Sequence, residues 1–122
     1  MRVDCDPDGR VDEWFVTLAR TDAEQAARVE AAIDTLADEG PLLGRPLADR
    51  IKGSELHHLK ELRPLTTHIR ILFAFDPDRQ AILLVAGDKA GQWKQWYIDN
   101  IPLAEKRYQR WLDMKDSEDD GT

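Results

Sequence analysis

The chain has 122 residues, 42% of them apolar, enough for one compact domain that buries roughly two-thirds of its unfolded surface and too few for two. A formal charge of −7 by itself argues against a nucleic-acid binder, since phosphate contact normally demands a basic surface. No apolar run reaches the ~18 to 20 residues of a bilayer-crossing helix, and the acidic start MRVDCDPDGR has no apolar signal core, so the expected compartment is the cytosol.

In chain order, residues 1–10 read as a flexible leader whose single cysteine, Cys5, cannot form an internal disulfide. VDEWFVTL alternates Trp14, Val16 and Leu18 against Phe15 and Thr17, the period of a half-buried strand. Thr21 with Glu24 reads as a capping box for a helix over residues 22–39, with Ala26, Val29, Ile33 and Leu36 on its apolar face and Gly40-Pro41 at its end. PLLGRPLADRIKGSE is a connection with at most a short helical turn. Three strands are expected next, LHHLKELR, THIRILFAF and QAILLVAG, separated by the turn sequences RPLT and DPDR.

In the second of these strands Ile69, Ile71, Phe73 and Phe75 share the core face, which places Arg70 on the other. The first strand is ambiguous in register, because Leu59 and Leu62 fall on opposite faces. Its free face carries either His57, Glu61 and Arg63 or His58 and Lys60, and a bulge nearby would resolve the conflict. Asn100 and Pro102 are expected to open a last helix with Ala104, Tyr108, Trp111 and Leu112 buried, before a flexible acidic tail over residues 115–122. The expected architecture is therefore α+β, a small, mainly antiparallel twisted sheet with helices packed on one face, in the order β-α-β-β-β-α, and a free second face.

Charge is distributed unevenly along the chain. Residues 1–44 carry 4 basic and 11 acidic side chains, residues 45–107 carry 11 and 8, and residues 108–122 carry 2 and 5. A local positive site can survive on an acidic protein if the cations of the middle segment converge. GDKAGQWKQWY, residues 87–97, interleaves Lys89 and Lys94 with Trp93, Trp96 and Tyr97, a combination that holds phosphates and bases or, alternatively, ties a loop to the last helix. His57, His58 and His68 have no metal-ligand spacing with the lone cysteine, so neither a metal nor another cofactor is expected. Arg70 has a plainer alternative, pairing with Glu61 across neighbouring strands.

Several landmarks in this order resemble a known family. GPLLGRPL, the ELR of residues 61–63, the R-I-L-F-x-F of residues 70–75, the apolar strand ending at Gly87-Asp88-Lys89 and the closing I-P-x-A-x-x-R-Y resemble the HigB-like, phage-Gp49-related branch of the RelE/ParE toxin superfamily. The resemblance covers about two-thirds of the chain. It implies a RelE-like fold, a type II toxin that cleaves mRNA on the translating ribosome, and a helix-turn-helix, HigA-like antitoxin joined to it in a hetero-oligomer. Asp88 stands where many relatives have a second lysine.

RNA cleavage of this kind has the ribose 2′-hydroxyl attack the adjacent phosphate, with a base, cations at the developing charge and an acid at the leaving oxygen. Arg63 and Arg70 suit charge stabilisation, and Lys89 suits phosphate binding or proton transfer. Lys60, His57, His58, His68, Lys94, Trp96 and Tyr97 are the candidates for contact with RNA and ribosome, one histidine being fit to titrate near neutrality. Alternative readings are a ParE-like inhibitor of DNA gyrase without catalysis, and a degenerate toxin that only binds its antitoxin.

Overall fold

Five strands make a mixed sheet in the spatial order β1-β5-β4-β3-β2, from β1 (Val3–Cys5), β2 (Ala48–Arg50), β3 (Lys60–Leu62), β4 (Ile69–Phe75) and β5 (Ala81–Asp88). Helices α1 (Arg10–Thr21) and α2 (Ala23–Glu39) follow β1, a 3-10 turn spans Gly40–Leu42, and α3 (Trp93–Asp120) closes the chain. The structure is a computed structural model that describes residues 1–56 and 58–120. The α+β class is as expected and fits a RelE-like fold. The element order is not the expected one, since VDEWFVTL is helical and two further short strands, β1 and β2, join the sheet. Among the described residues, no helix is long and apolar enough to cross a membrane.

The helical state of VDEWFVTL has a physical cause in the residues around it. Val11, Trp14, Phe15 and Leu18 recur at i, i+3, i+4 and i+7, and all four pack into one apolar cluster. Asp6 supplies the start that the alternating pattern hides, its carboxylate accepting from the backbone N–H of Val11 at 2.8 Å and of Arg10 at 3.2 Å. α2 is capped one residue later than the Thr21/Glu24 box predicts. Asp22 accepts from the N–H of Gln25 at 3.1 Å, while the Thr21 hydroxyl bonds back to the Thr17 carbonyl in the last turn of α1.

Helices cover both faces of the sheet, not one. On one face Val29, Leu36, Ile69, Ile71, Phe73 and Leu83 pack together under α1 and α2. On the other, Ala104 and Tyr108 of α3 pack on Leu72, Ala74, Ile82 and Leu84. A bulge lies between β4 and β5 and not near residues 56–63. Leu72 faces Val85 and Phe73 faces Leu83, so Leu84 is the extra residue, and Leu84 and Val85 both join the α3 cluster. Arg107 reaches from α3 to the Leu84 carbonyl at 2.8 Å and satisfies that displaced backbone group.

α3 begins at Trp93, two turns before the predicted start, and carries Pro102 inside it. Proline has no N–H to give the Ile98 carbonyl one turn back, so helical order here rests on packing at either side. The rear half is held by Tyr108, whose hydroxyl donates to the Phe75 carbonyl at 3.0 Å, and by Asp76. Asp76 accepts from Trp111 Nε1 at 3.1 Å and Lys115 Nζ at 2.6 Å, and its second oxygen accepts from the N–H groups of Asp78 and Gln80. Within residues 1–10, β1 pairs parallel with β5, and at the start of the 115–122 segment Lys115 is engaged by Asp76 and Asp78.

Burial works against the Asp76 charge, but the bonds from Lys115, Gln80 and Trp111 outweigh it and hold the carboxyl below its ordinary range. A depressed carboxylate contributes stability that is complete above the unfolded value near about 3.9 and is lost as pH falls through the folded value. Asp76→Asn is expected to lower unfolding free energy at neutral pH by about 1.5 to 3 kcal/mol, and to flatten the decline below about pH 4. Urea denaturation of both proteins across that pH range checks it.

Candidate functional site

Short β3 and the front of α3 leave one end of the α3-side sheet face open, and the charged residues of the middle segment gather there. Glu61 lies opposite Leu72 on β4 and Asp49 on β2, so their side chains share the α3 face. Arg70, two residues before Leu72 and opposite Gly87, lies on the same face. Arg63 follows the end of β3 and is fixed by its N–H bond to the Leu47 carbonyl at 2.7 Å. Glu61 and Arg63, with Lys89, Trp93, Tyr97, Ile101 and the segment Arg50 to Lys52, line a cleft of about 300 Å³, and Arg70 stands beside it.

Glu61 is the buried hinge of this arrangement, only 3% exposed. One oxygen accepts from Arg63 Nε at 2.7 Å and Nη2 at 2.5 Å, and the other accepts from the Tyr97 hydroxyl at 2.5 Å. Arg63 also approaches Asp49 at 3.5 Å. Burial opposes the Arg63 charge, yet the Glu61 bond and the charges of Glu61 and Asp49 leave its pKa raised. Burial, followed by the Glu61 bond and charge, pushes the Tyr97 phenol well up, which keeps it a hydrogen-bond donor.

Arg70 and Lys89 complete the positive side. Arg70 Nη1 donates to the Ile69 carbonyl at 2.7 Å, and its Nε is buried with no partner among the described residues. The alternative pairing of Arg70 with Glu61 is not formed, because Arg63 and Tyr97 occupy that carboxylate. Lys89 is placed by its N–H bond to the His68 carbonyl at 3.0 Å, and its ammonium lies 5.8 Å from the ring centres of both Trp93 and Tyr97. Burial first, then the charges of Arg70 and Arg63, lower its pKa, against the opposing pull of Glu61. Asp88, in the place of a second lysine, accepts from the Ala90 N–H at 2.8 Å and so shapes the turn that presents Lys89.

Of the sequence candidates, Arg63, Arg70, Lys89 and Tyr97 meet in this region, and the others do not join them. Trp96 turns inward, edge-on to Tyr97 at 5.2 Å and packed over Gly87. Lys60 projects to the α1/α2 side, 5.5 Å from the Phe75 ring centre. His58 is exposed and lies edge-on to Tyr108. His68 contributes its carbonyl while its side chain is exposed, and Lys94 is exposed beside Trp93 at 6.0 Å. His57 lies outside the described residues. Asp49, Arg50 and Lys52 were missed because the strand that holds the first two is three residues long within a Gly- and Pro-rich run, Lys52 lies just past it, and the alternation of Asp49, Glu61 and Leu72 needs the pairing to be seen.

A β-carbon on Gly87 would stand 2.6 Å from Trp96 Nε1, so the ring must move for any larger residue. Gly87→Ala is expected to destabilise by about 1 to 3 kcal/mol, read as a fall in thermal midpoint with the near-ultraviolet tryptophan signal altered.

Residues 14–109 match the family described as phage-derived protein Gp49-like, and the chain belongs to it; the general class is the RelE/ParE superfamily. The chain is similar to a Mycobacterium tuberculosis protein provisionally named toxin HigB3, 56% identical over 103 residues that cover 84% of this chain and 88% of that one. It is also similar to a second protein of that organism, provisionally named toxin HigB2, 48% identical over 102 residues that cover 81% of this chain. The match spans 49% of HigB2, about half its length.

Proposed function

We propose that this chain is the toxin of a type II toxin–antitoxin pair and acts in the cytoplasm as a ribosome-dependent mRNA endoribonuclease. The observation that carries the reading is the convergence of Arg63 and Lys89 on one cleft of an otherwise acidic protein, with Arg70 beside it, near enough for its charge to act on Lys89. The names of the HigB-like relatives support the toxin part. In this reading Arg70 and Arg63 stabilise the charge that grows on the phosphate as the 2′-hydroxyl attacks and yields its proton to water. Glu61 and Tyr97 hold Arg63 in place. Lys89, an ammonium made more acidic by burial and Arg70, protonates the departing 5′-oxygen without need of a metal. A HigA-like helix-turn-helix antitoxin neutralises the protein by covering the positive rim or α1.

The non-catalytic, antitoxin-binding reading draws on a different observation, the engagement of Arg63 by Glu61 and Asp49. Induction in growing cells followed by primer extension on total mRNA separates the readings. Discrete 5′ ends that vanish when translation is blocked support the nuclease, and growth arrest without such ends rejects it. Co-expression of a bound antitoxin is expected to abolish the arrest.

Lys89→Ala is expected to weaken association with programmed ribosomes by roughly 10 fold or more, the loss of one charge-assisted contact. The depressed pKa gives this contact a pH dependence. Lys89 is cationic below its folded pKa, so wild-type association declines as pH rises through that lowered value. Lys89→Arg, whose charge does not titrate there, is expected to hold its affinity further into alkali. Half-saturating concentrations measured across pH test both variants.

A further inference from the structure

Three large aromatics stand at the front of α3, and the structure gives two of them internal work. Trp96 packs over Gly87 as part of the margin of the α3-side apolar cluster, and Tyr97 spends its hydroxyl on Glu61. Trp93 belongs to neither apolar cluster and is 56% exposed. It nevertheless lines the cleft, with Lys89 Nζ 5.8 Å and Lys94 Nζ 6.0 Å from its ring centre. Arg50 and Lys52 line that cleft too. An indole exposed to solvent and flanked by ammonium groups is what single-stranded nucleic acid uses, stacking a base on the ring while cations hold the adjoining phosphates.

We propose that Trp93 is a nucleobase platform, stacking one base of single-stranded RNA while Lys89 and Lys52, which line the cleft with it, and Lys94, outside the cleft beside the same ring, hold the flanking phosphates. This rests on the RNA reading above. Trp93 is a binding residue and takes no part in the bond-breaking step. Stacking accepts every base, so the platform adds affinity and position with little sequence preference.

The test compares a labelled single-stranded hexaribonucleotide with the same backbone lacking its bases, binding to the full chain at low salt. Wild type is expected to bind the base-bearing RNA more tightly than the abasic one. Trp93→Ala should weaken the base-bearing RNA by roughly 5 to 100 fold and bring it to the abasic level, with abasic binding unchanged. Trp93→Phe, which keeps a ring face, should stay within a few fold of wild type, and thermal midpoints should be unaltered because the ring is exposed. Equal preference for bases in wild type and Trp93→Ala overturns the proposal, as does failure of wild type to bind either RNA, or a loss confined to antitoxin binding. Single-turnover cleavage on programmed ribosomes, run in parallel, keeps the two ideas apart. A wild type that cleaves, with a Trp93→Ala protein of unchanged base preference, removes the platform alone. A wild type that binds bases through Trp93 and cleaves nothing removes the nuclease alone.

Discussion

Arg70→Ala is expected to lower single-turnover cleavage of mRNA on programmed ribosomes by about 10² to 10³ fold, the effect of removing one preorganised charge-stabilising donor. The size follows from the setting of the side chain. Arg70 is partly buried and anchored by Nη1 on its own strand, and it makes no ion pair among the described residues, so its charge is preorganised and is not spent on a carboxylate. Arg63, which must share its guanidinium with Glu61 and Asp49, should lose less on substitution. Arg70→Lys keeps the charge without the planar fork and should recover only part of the rate. Unfolding midpoint and antitoxin affinity, measured on the same preparations, should stay near wild type. A folded Arg70→Ala protein that cleaves at the wild-type rate removes Arg70 from the mechanism.

The largest stability effect belongs to Phe73. It is 1% exposed at the centre of β4, edge-on to Phe75 at 5.7 Å, and shares its cluster with Val29, Leu36, Ile71 and Leu83. Phe73→Ala is expected to cost about 3 to 5 kcal/mol, lost transfer energy plus a cavity that the surrounding helices only partly fill. For a domain of this size such a change is a large fraction of the total stability. Urea unfolding followed by far-ultraviolet circular dichroism should show a lower midpoint with an unchanged slope. Phe73→Leu, closer in volume, should recover much of the loss.

The parts of the fold legible in the sequence are those with one strong period. Residues 69–75 and 81–88 alternate or run apolar between clear turns, and the helix over residues 22–39 shows its stripe and its Gly-Pro stop. VDEWFVTL carries both periods at once. The choice was made by Asp6, four residues before the helix begins, and by the apolar neighbours that Val11, Trp14, Phe15 and Leu18 find on one side. Pro102 misled in the opposite direction, since a proline favours a helix start while the packing of Trp96, Tyr97 and Ile101 extends the helix past it. The bulge at Leu84 cannot be read from one strand, because it is a relation between two.

At the site, residue types were more legible than their grouping. Arginine and lysine on strands of the middle segment pointed to Arg63, Arg70 and Lys89, which meet. From the sequence Glu61 is expected either on the free face with Arg63 or as a partner for Arg70; it serves Arg63 and Tyr97, because the side chain after β3 folds back along its own strand. Lys60 was placed with the candidates and goes to the opposite face, since Leu62 fixes the register of so short a strand by its burial under α1 and α2.

The pairing of the first strand with the last has a consequence in time. Val3 lies opposite Ala81, so β1 waits for a partner until most of the chain has been made, and non-local parallel pairing of this kind is slow to form. Synthesis delivers Lys89, Trp93 and Tyr97 later still. A chain interrupted before residue 81 lacks β5, the strand that joins β1 to β4, which leaves the long edge of β4 unpaired and Lys89, Trp93 and Tyr97 of the cleft absent. Unfinished product is therefore inert at the cleft and prone to aggregate through that edge. The order of the strands makes completion of the last strand and helix the condition for assembling the basic side chains of the cleft.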